Sequence, residues 1–209
     1  MEYNGKRALV CGMAKSGIAA AKLLKRLGAE VTLQDMKKRE DIAADVLNLE
    51  NEGIVLYTGA NPDDMACAQD IIVLSPGIPC DLPFILAAEE AGVSVISEVE
   101  LAYTLTKCPI TAITGTNGKT TTTTLTGEIM KAVYGNTAVV GNIGIPYSDE
   151  VERLTEKDWV VAEISSFQME KAKEFTPHIS AVLNITPDHL NRHKTMENYG
   201  AAKANIFAN

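Results

Sequence analysis

Six residues constrain this chain more than any others: Gly115-Thr116-Asn117-Gly118-Lys119-Thr120. They follow the apolar run CPITAIT at 108–114 and precede a helix-period stretch reaching about residue 133. A strand that turns through glycines into a helix offers phosphate successive N–H groups and a helix N-terminus. Lys119 then offsets charge on the terminal phosphates, and the Thr120 hydroxyl can ligate Mg²⁺. Ile113 stands where the usual pattern has its first glycine. Average residue frequencies give a chance match to G-x-x-G-K-[ST] of about one per cent in a chain of this size. In its strand–loop–helix setting, the loop predicts ATP binding.

Such a loop needs a parallel sheet, and the pattern on both sides supplies one. Before it, short apolar runs at Arg7–Cys11, 30–33, 54–57, 71–74 and 93–97 read as strands, with helix periods at 17–27 and 83–92. After it, 137–140, 158–164 and 178–185 read as strands, the last two mostly apolar and buried in character. Strand–helix–strand alternation indicates an α/β fold. The expected architecture is a Rossmann-like parallel-sheet domain at 1–98 and a P-loop-type ATPase domain at 99–209. Residues 199–207 read as a helix with no capping glycine or polar tail before Asn209, so the second domain is expected to be incomplete.

Composition narrows the function classes. The 209 residues carry a net charge of −8, which argues against a broad nucleic-acid or anionic-membrane surface. No apolar run approaches a membrane span, and the start MEYNGKRALV lacks a signal-peptide pattern. The four cysteines at 11, 67, 80 and 108 have neither metal-knuckle nor disulfide-framework spacing, so reduced thiols in a cytoplasmic protein are expected.

A second glycine loop, Gly12-Met13-Ala14-Lys15-Ser16-Gly17, joins the first strand to the first helix. It approximates the dinucleotide fingerprint, with Ala14 in place of the middle glycine and Asp35 at the end of the next strand, where a carboxylate could bind a ribose. A ligand-free tight turn and a nucleotide-phosphate site are both open here. Downstream, Glu163 lies inside the apolar run WVVAEI, where burying a carboxylate favours Mg²⁺ ligation over a surface role. Trp159 reads as core. Thr186-Pro187-Asp188-His189 follows a strand at its carboxyl end, which suits His189 to a Mg²⁺ or phosphate ligand. His193 reads as a solvated neighbour, because the His189/His193 spacing lacks the glutamate and helix of a zinc site. Lys203 lies among alanines on the last helix; a solvated lysine and a buried reactive one are both open.

Together these residues resemble the Mur ligase family, cytoplasmic ATP-dependent amide ligases of peptidoglycan precursor synthesis. The resemblance rests on ITGTNGKTTT (113–122), GNIG (141–144), AEISSFQME (162–170), NITPDH and YGAAKANIF, with GMAKSG and SPGIP in the first domain. It is strongest to the member that joins D-glutamate to UDP-N-acetylmuramoyl-L-alanine; an L-alanine-adding sibling typically has histidine where Asn117 stands. The resemblance implies an ATP loop at Gly115, Thr116, Asn117, Gly118, Lys119, Thr120 and Thr121. It implies two Mg²⁺ ions, one held by Thr120 and Glu163 and one by His189, with Lys203 carbamylated so that it bridges or positions them. Lys119, His189 and Lys203 are the implied catalytic residues. Lys15, Ser16, Asp35, Lys37 and Gly77 match positions for the UDP group, although Met36-Lys37 stands where a hydroxyl and an arginine are common. Asn142, Ser165 and Gln168 match positions facing the muramoyl-alanine group. The resemblance also implies a monomer acting on small molecules, with a further domain for the amino acid. The isolated chain is then expected to bind without turnover, as a non-catalytic nucleotide-binding module also would.

Overall fold

The computed structural model describes residues 2–207 and divides the chain into two compact units, 1–101 and 102–209. The chain end at Ala208 and Asn209, on which the expectation of an interrupted domain rests, lies outside the described residues.

The first unit is a five-stranded parallel sheet. Its strands are β1 (Arg7–Cys11), β2 (Glu30–Asp35), β3 (Val55–Thr58), β4 (Ile71–Leu74) and β5 (Ser94–Ser97), in the order β3-β2-β1-β4-β5. Helix α1 (Lys15–Arg26) crosses from β1 to β2, the one-turn α2 (Ala44–Leu47) precedes β3, and α3 (Pro83–Glu90) links β4 to β5. The stripe Ala20, Leu23 and Leu24 buries the inner face of α1. On α3, Phe84, Ile85 and Ala88 join Leu9, Cys11, Ile72, Leu74 and Val95 in one core cluster. Burial pushes the Cys11 thiol up to about 12, which keeps it inert. Strand order reverses at β1, between β2 and β4, and ligands of open α/β sheets bind at the carboxyl ends of strands near such a point. The loops after β1, β2 and β4 all lie at that end.

Helix α4 (Glu98–Tyr103) runs across the division between the units. The second unit holds β6 (Ile110–Thr114), α5 (Lys119–Tyr134), β7 (Thr137–Gly141), α6 (Tyr147–Glu150), β8 (Trp159–Glu163), α7 (Ser166–Met169), β9 (Ile179–Val182), α8 (Leu190–His193) and α9 (Met196–Ala204). Its parallel sheet has the order β7-β8-β6-β9. The phosphate-loop strand β6 is central and buried at every position, as a fully covered parallel strand should be.

Strand β9 departs from the expected buried strand at 178–185. It is four residues long and, among the described strands, pairs with β6 alone, so Ile179 is 49% exposed. Apolar composition cannot distinguish a central strand from an edge strand; partners decide that. Trp159 is half-buried, stacks on Tyr134 at 4.7 Å, and donates its indole N–H to Thr111 Oγ1 at 3.0 Å. No helix among the described residues is long and apolar enough to cross a membrane.

Candidate functional site

In the first unit, the Gly12–Gly17 loop is drawn tight against the sheet end. A Cβ on Gly17 would overlap the Gly12 carbonyl oxygen, so only glycine permits this approach of helix to loop. The Asp35 carboxylate accepts the Met13 N–H at 2.8 Å and the Lys37 N–H at 3.0 Å, stapling the loop after β1 to the turn after β2. Ser75, after β4, donates its hydroxyl to the Gly12 carbonyl at 3.3 Å. Helix α1 starts from Ala14 with no side-chain cap, which leaves its leading N–H groups open to an anion. Lys15 and Lys37 are exposed at this end, Ser16 is half-buried, and Gly77 is exposed with open space where a Cβ would be.

In the second unit, α5 likewise starts with no side-chain cap, from Gly118 at φ 81°. By contrast, Thr195 caps α9, and Ser165 forms a capping box with Gln168 on α7. The loop is held open from behind. Thr116 N–H donates to the Asn184 carbonyl at 3.0 Å, and Asn117 N–H to Asn184 Oδ1 at 2.9 Å. Lys119 Nζ folds back to the Thr116 carbonyl at 2.9 Å, within its own loop.

Glu163 ends β8 beside this loop and is 2% exposed. Its carboxylate accepts the Thr120 hydroxyl at 2.9 Å and the Asn142 amide at 2.8 Å. Both donors are neutral, and among the described residues no salt bridge pairs this buried carboxylate with a cationic side chain. That fits a divalent cation, because desolvating a carboxylate is costly unless a positive charge joins it. Gly141 makes the approach possible: it pairs with Glu163 across the sheet at φ 104°, and a Cβ there would overlap the Glu163 carbonyl.

Lys203 is 2% exposed, which resolves the two open readings in favour of burial. Its ammonium donates to the Gly115 carbonyl at 2.9 Å and Thr114 Oγ1 at 3.3 Å, and lies 4.8 Å from the Tyr199 ring centre. Burial, and then the nearby Lys119 charge, pull it down to about 8, while Asp188 pulls the other way. Tyr199 joins these groups, its hydroxyl 3.1 Å from Thr116 Oγ1. Nothing in the local sequence singled Tyr199 out.

His189 is held in the left-handed region at φ 51°, with Asp188 Oδ1 accepting its N–H at 2.8 Å. Among the described contacts its ring meets Asp188, Phe167 and Tyr199, and neither Glu163 nor Thr120. No three His, Cys, Asp or Glu side chains converge on a metal cage among the described residues. His193 is not the solvated neighbour its sequence position suggests: it is 6% exposed, with Nε2 2.9 Å from the Ser166 hydroxyl and Nδ1 3.5 Å from Glu170. The one-turn helix α8 rolls it inward, and burial depresses its basicity despite the Glu170 charge. Gln168 is 1% exposed, and its Nε2 has no hydrogen-bond partner among the described residues.

Two family profiles match successive parts of the chain. The one described as the Mur ligase MurD-like N-terminal domain matches residues 6–97, and the Mur ligase middle domain matches 113–209. The chain belongs to the Mur ligase family. Among Mur ligases it is 48% identical over its whole length to the UDP-N-acetylmuramoylalanine--D-glutamate ligase of Alkaliphilus metalliredigens, and 48% identical to that of Clostridioides difficile. It spans 46% and 47% of those proteins, respectively. Two solved Mur ligases share the fold. One is the UDP-N-acetylmuramate:L-alanyl-gamma-D-glutamyl-meso-diaminopimelate ligase of Neisseria meningitides, with TM-score 0.61, 17% identity, and coverage of 97% of this chain and 67% of that one. The other is the UDP-N-acetylmuramate-alanine ligase of Thermotoga maritima, with TM-score 0.56, 22% identity, and coverage of 96% and 46%.

Proposed function

We propose that this chain supplies the nucleotide-precursor and ATP-binding parts of a ligase that joins D-glutamate to UDP-N-acetylmuramoyl-L-alanine, with ATP cleaved to ADP. The observation that carries the reading is the buried Glu163 carboxylate bonded to Thr120 at the mouth of the phosphate loop. The names of the relatives supply the substrates. Because the chain spans under half of those relatives, turnover belongs to a polypeptide of their full length.

Residues 115–121 form the loop that cradles the ATP phosphates. The Thr116 and Asn117 N–H groups anchor it to Asn184, and the N–H groups at the start of α5 face the phosphates. Lys119 exchanges its bond to the Thr116 carbonyl for a terminal phosphate oxygen. Thr120 and Glu163 would hold one Mg²⁺ and His189 a second, with carbamylated Lys203 bridging or positioning them; when bound, the ions offset the repulsion between two anions. Carbamylation requires neutral Nζ, which attacks CO₂ and loses a proton to leave a carbamate. A lysine at about 8 has far more neutral amine at pH 7 than an ordinary one. The precursor's carboxylate, oriented by Asn142, Ser165 and Gln168, attacks the γ-phosphorus of ATP. ADP leaves, and an acyl phosphate remains. The neutral amine of D-glutamate then attacks the acyl carbon, giving the amide and inorganic phosphate. In the first unit, Lys15, Ser16, Lys37 and Gly77 hold the UDP group, and Asp35 fixes the loop that shapes this site. The protein acts as a cytoplasmic monomer.

Glu163→Gln tests the metal assignment. The amide keeps the shape and an acceptor oxygen but removes the charge. Calorimetry with a non-hydrolysable ATP analogue is expected to show Mg²⁺ strengthening binding to the native chain and giving little or no gain in the variant. Equal Mg²⁺ enhancement in both would remove Glu163 from the metal site.

A further inference from the structure

The turn that carries His189 cannot hold its own shape. Helix α8 is a single turn, and one turn of helix is unstable in isolation. It is bounded by two non-glycine residues at positive φ, His189 at 51° and Lys194 at 71°. Each such residue costs on the order of 1 kcal/mol or more and persists only where its surroundings impose it.

The surroundings that impose it centre on Glu170, which directly follows α7. Its carboxylate, 14% exposed, accepts Arg192 Nη2 at 2.5 Å and Nε at 3.2 Å. Such a fork fixes direction as well as distance. The same carboxylate lies 3.5 Å from His193 Nδ1, and Ser166 meets the other ring nitrogen at 2.9 Å. Two consecutive residues of the turn are thus anchored to α7 and the residue after it. Phe167 completes the assembly: the Arg192 guanidinium lies 4.4 Å from its ring centre, and the His189 ring 4.8 Å from the same centre.

We propose that Glu170 and Arg192 are positioning residues that set the His189 imidazole for the divalent cation. Neither takes part in the chemistry. Their ion pair locks the α8 turn onto α7 and presses Phe167 against the ring, so the imidazole enters metal binding in a fixed orientation. The inference rests on the proposed function, in which His189 is a metal donor. Groups that orient a metal ligand typically contribute 10–100-fold to metal affinity.

The test uses the 209-residue chain with Mn²⁺ as an electron-paramagnetic probe of the Mg²⁺ sites, titrated in the presence of a non-hydrolysable ATP analogue. Glu170→Gln keeps the side-chain shape and one acceptor. Arg192→Lys keeps the charge but loses the fork, which guards against a variant that merely fails to fold. In both variants, Mn²⁺ affinity is expected to weaken about ten-fold or more. Affinity for the analogue without metal should stay within about two-fold of the native value, as it depends on the loop and α5. In histidine-selective NMR spectra, the His189 ring resonance should shift or broaden. A role confined to stability would lower the melting temperature and leave Mn²⁺ affinity and the ring signal of the folded chain unchanged, which overturns the proposal. If the native chain binds the analogue but Mn²⁺ binds equally well to all three proteins, the positioning role fails and the nucleotide site stands. If the native chain binds neither, the proposed function fails and this inference with it.

Discussion

Lys119→Ala is expected to remove most nucleotide binding from this chain. The Lys119 ammonium leads α5, and its bond to the Thr116 carbonyl keeps it inside the loop it serves. A terminal phosphate is a far stronger acceptor for that cation than a backbone carbonyl. Losing a charge-assisted hydrogen bond costs about 1.5–3 kcal/mol, roughly ten- to hundred-fold in affinity for an ATP analogue. In a protein of full ligase length the effect on rate should be larger, because charge builds on the transferring group. Acyl-phosphate formation is expected to fall by at least about 10²-fold. The fold should survive, since the side chain is only half-buried and its carbonyl partner can turn to water. Unchanged analogue affinity in Lys119→Ala would overturn the phosphate-loop assignment.

Lys203→Met is expected to separate stability from function. Methionine keeps the bulk of the stem and discards a cation buried to 2% exposure. Replacing a buried charge by an apolar group of similar volume is often neutral or stabilising. Lys203 titrates at about 8 in the folded chain against an ordinary value of 10.5, so the unfolded chain holds more protons between those values. The contribution of Lys203 to stability is therefore flat below about pH 8 and rises between about pH 8 and 10.5, where the raised Cys11 thiol works in the opposite direction. Lys203→Met should lose that rise, which denaturant titrations at pH 7 and 9.5 would show. Turnover of the full-length variant should fall by orders of magnitude, and ¹³CO₂ should label Lys203 in the native chain at a rate that increases as pH passes 8. Near-normal kinetics in the variant would discard the catalytic role.

The parts of this molecule that could be read from sequence are those whose chemistry is local. The two glycine loops announce themselves because strand, turn and helix start lie within a dozen residues of one another. Glu163 was readable for a related reason, since a carboxylate within WVVAEI is anomalous whatever surrounds it. What escaped depends on distant partners. His193 is buried because Ser166 and Glu170, more than twenty residues away, enclose it. Lys203 is held by the Gly115 carbonyl, 88 residues earlier, and nothing in its alanine-flanked helix distinguishes that burial from solvent exposure. Strand β9 is an edge strand for the same reason, as its apolar sequence says nothing of how many neighbours it has. The one-turn helices α7 and α8 are too short for a period to show, yet they carry Phe167, which packs on the His189 ring, and Arg192, which pairs with Glu170 just after α7.

The central claim is that the first unit binds a uridine-nucleotide precursor while the second binds ATP. It is tested most directly by calorimetric titration of the chain with UDP-N-acetylmuramoyl-L-alanine, run beside the same titration with NAD. Saturable heat with the uridine precursor and none with NAD is the predicted result. Binding of NAD without the precursor, or of neither, would contradict the account.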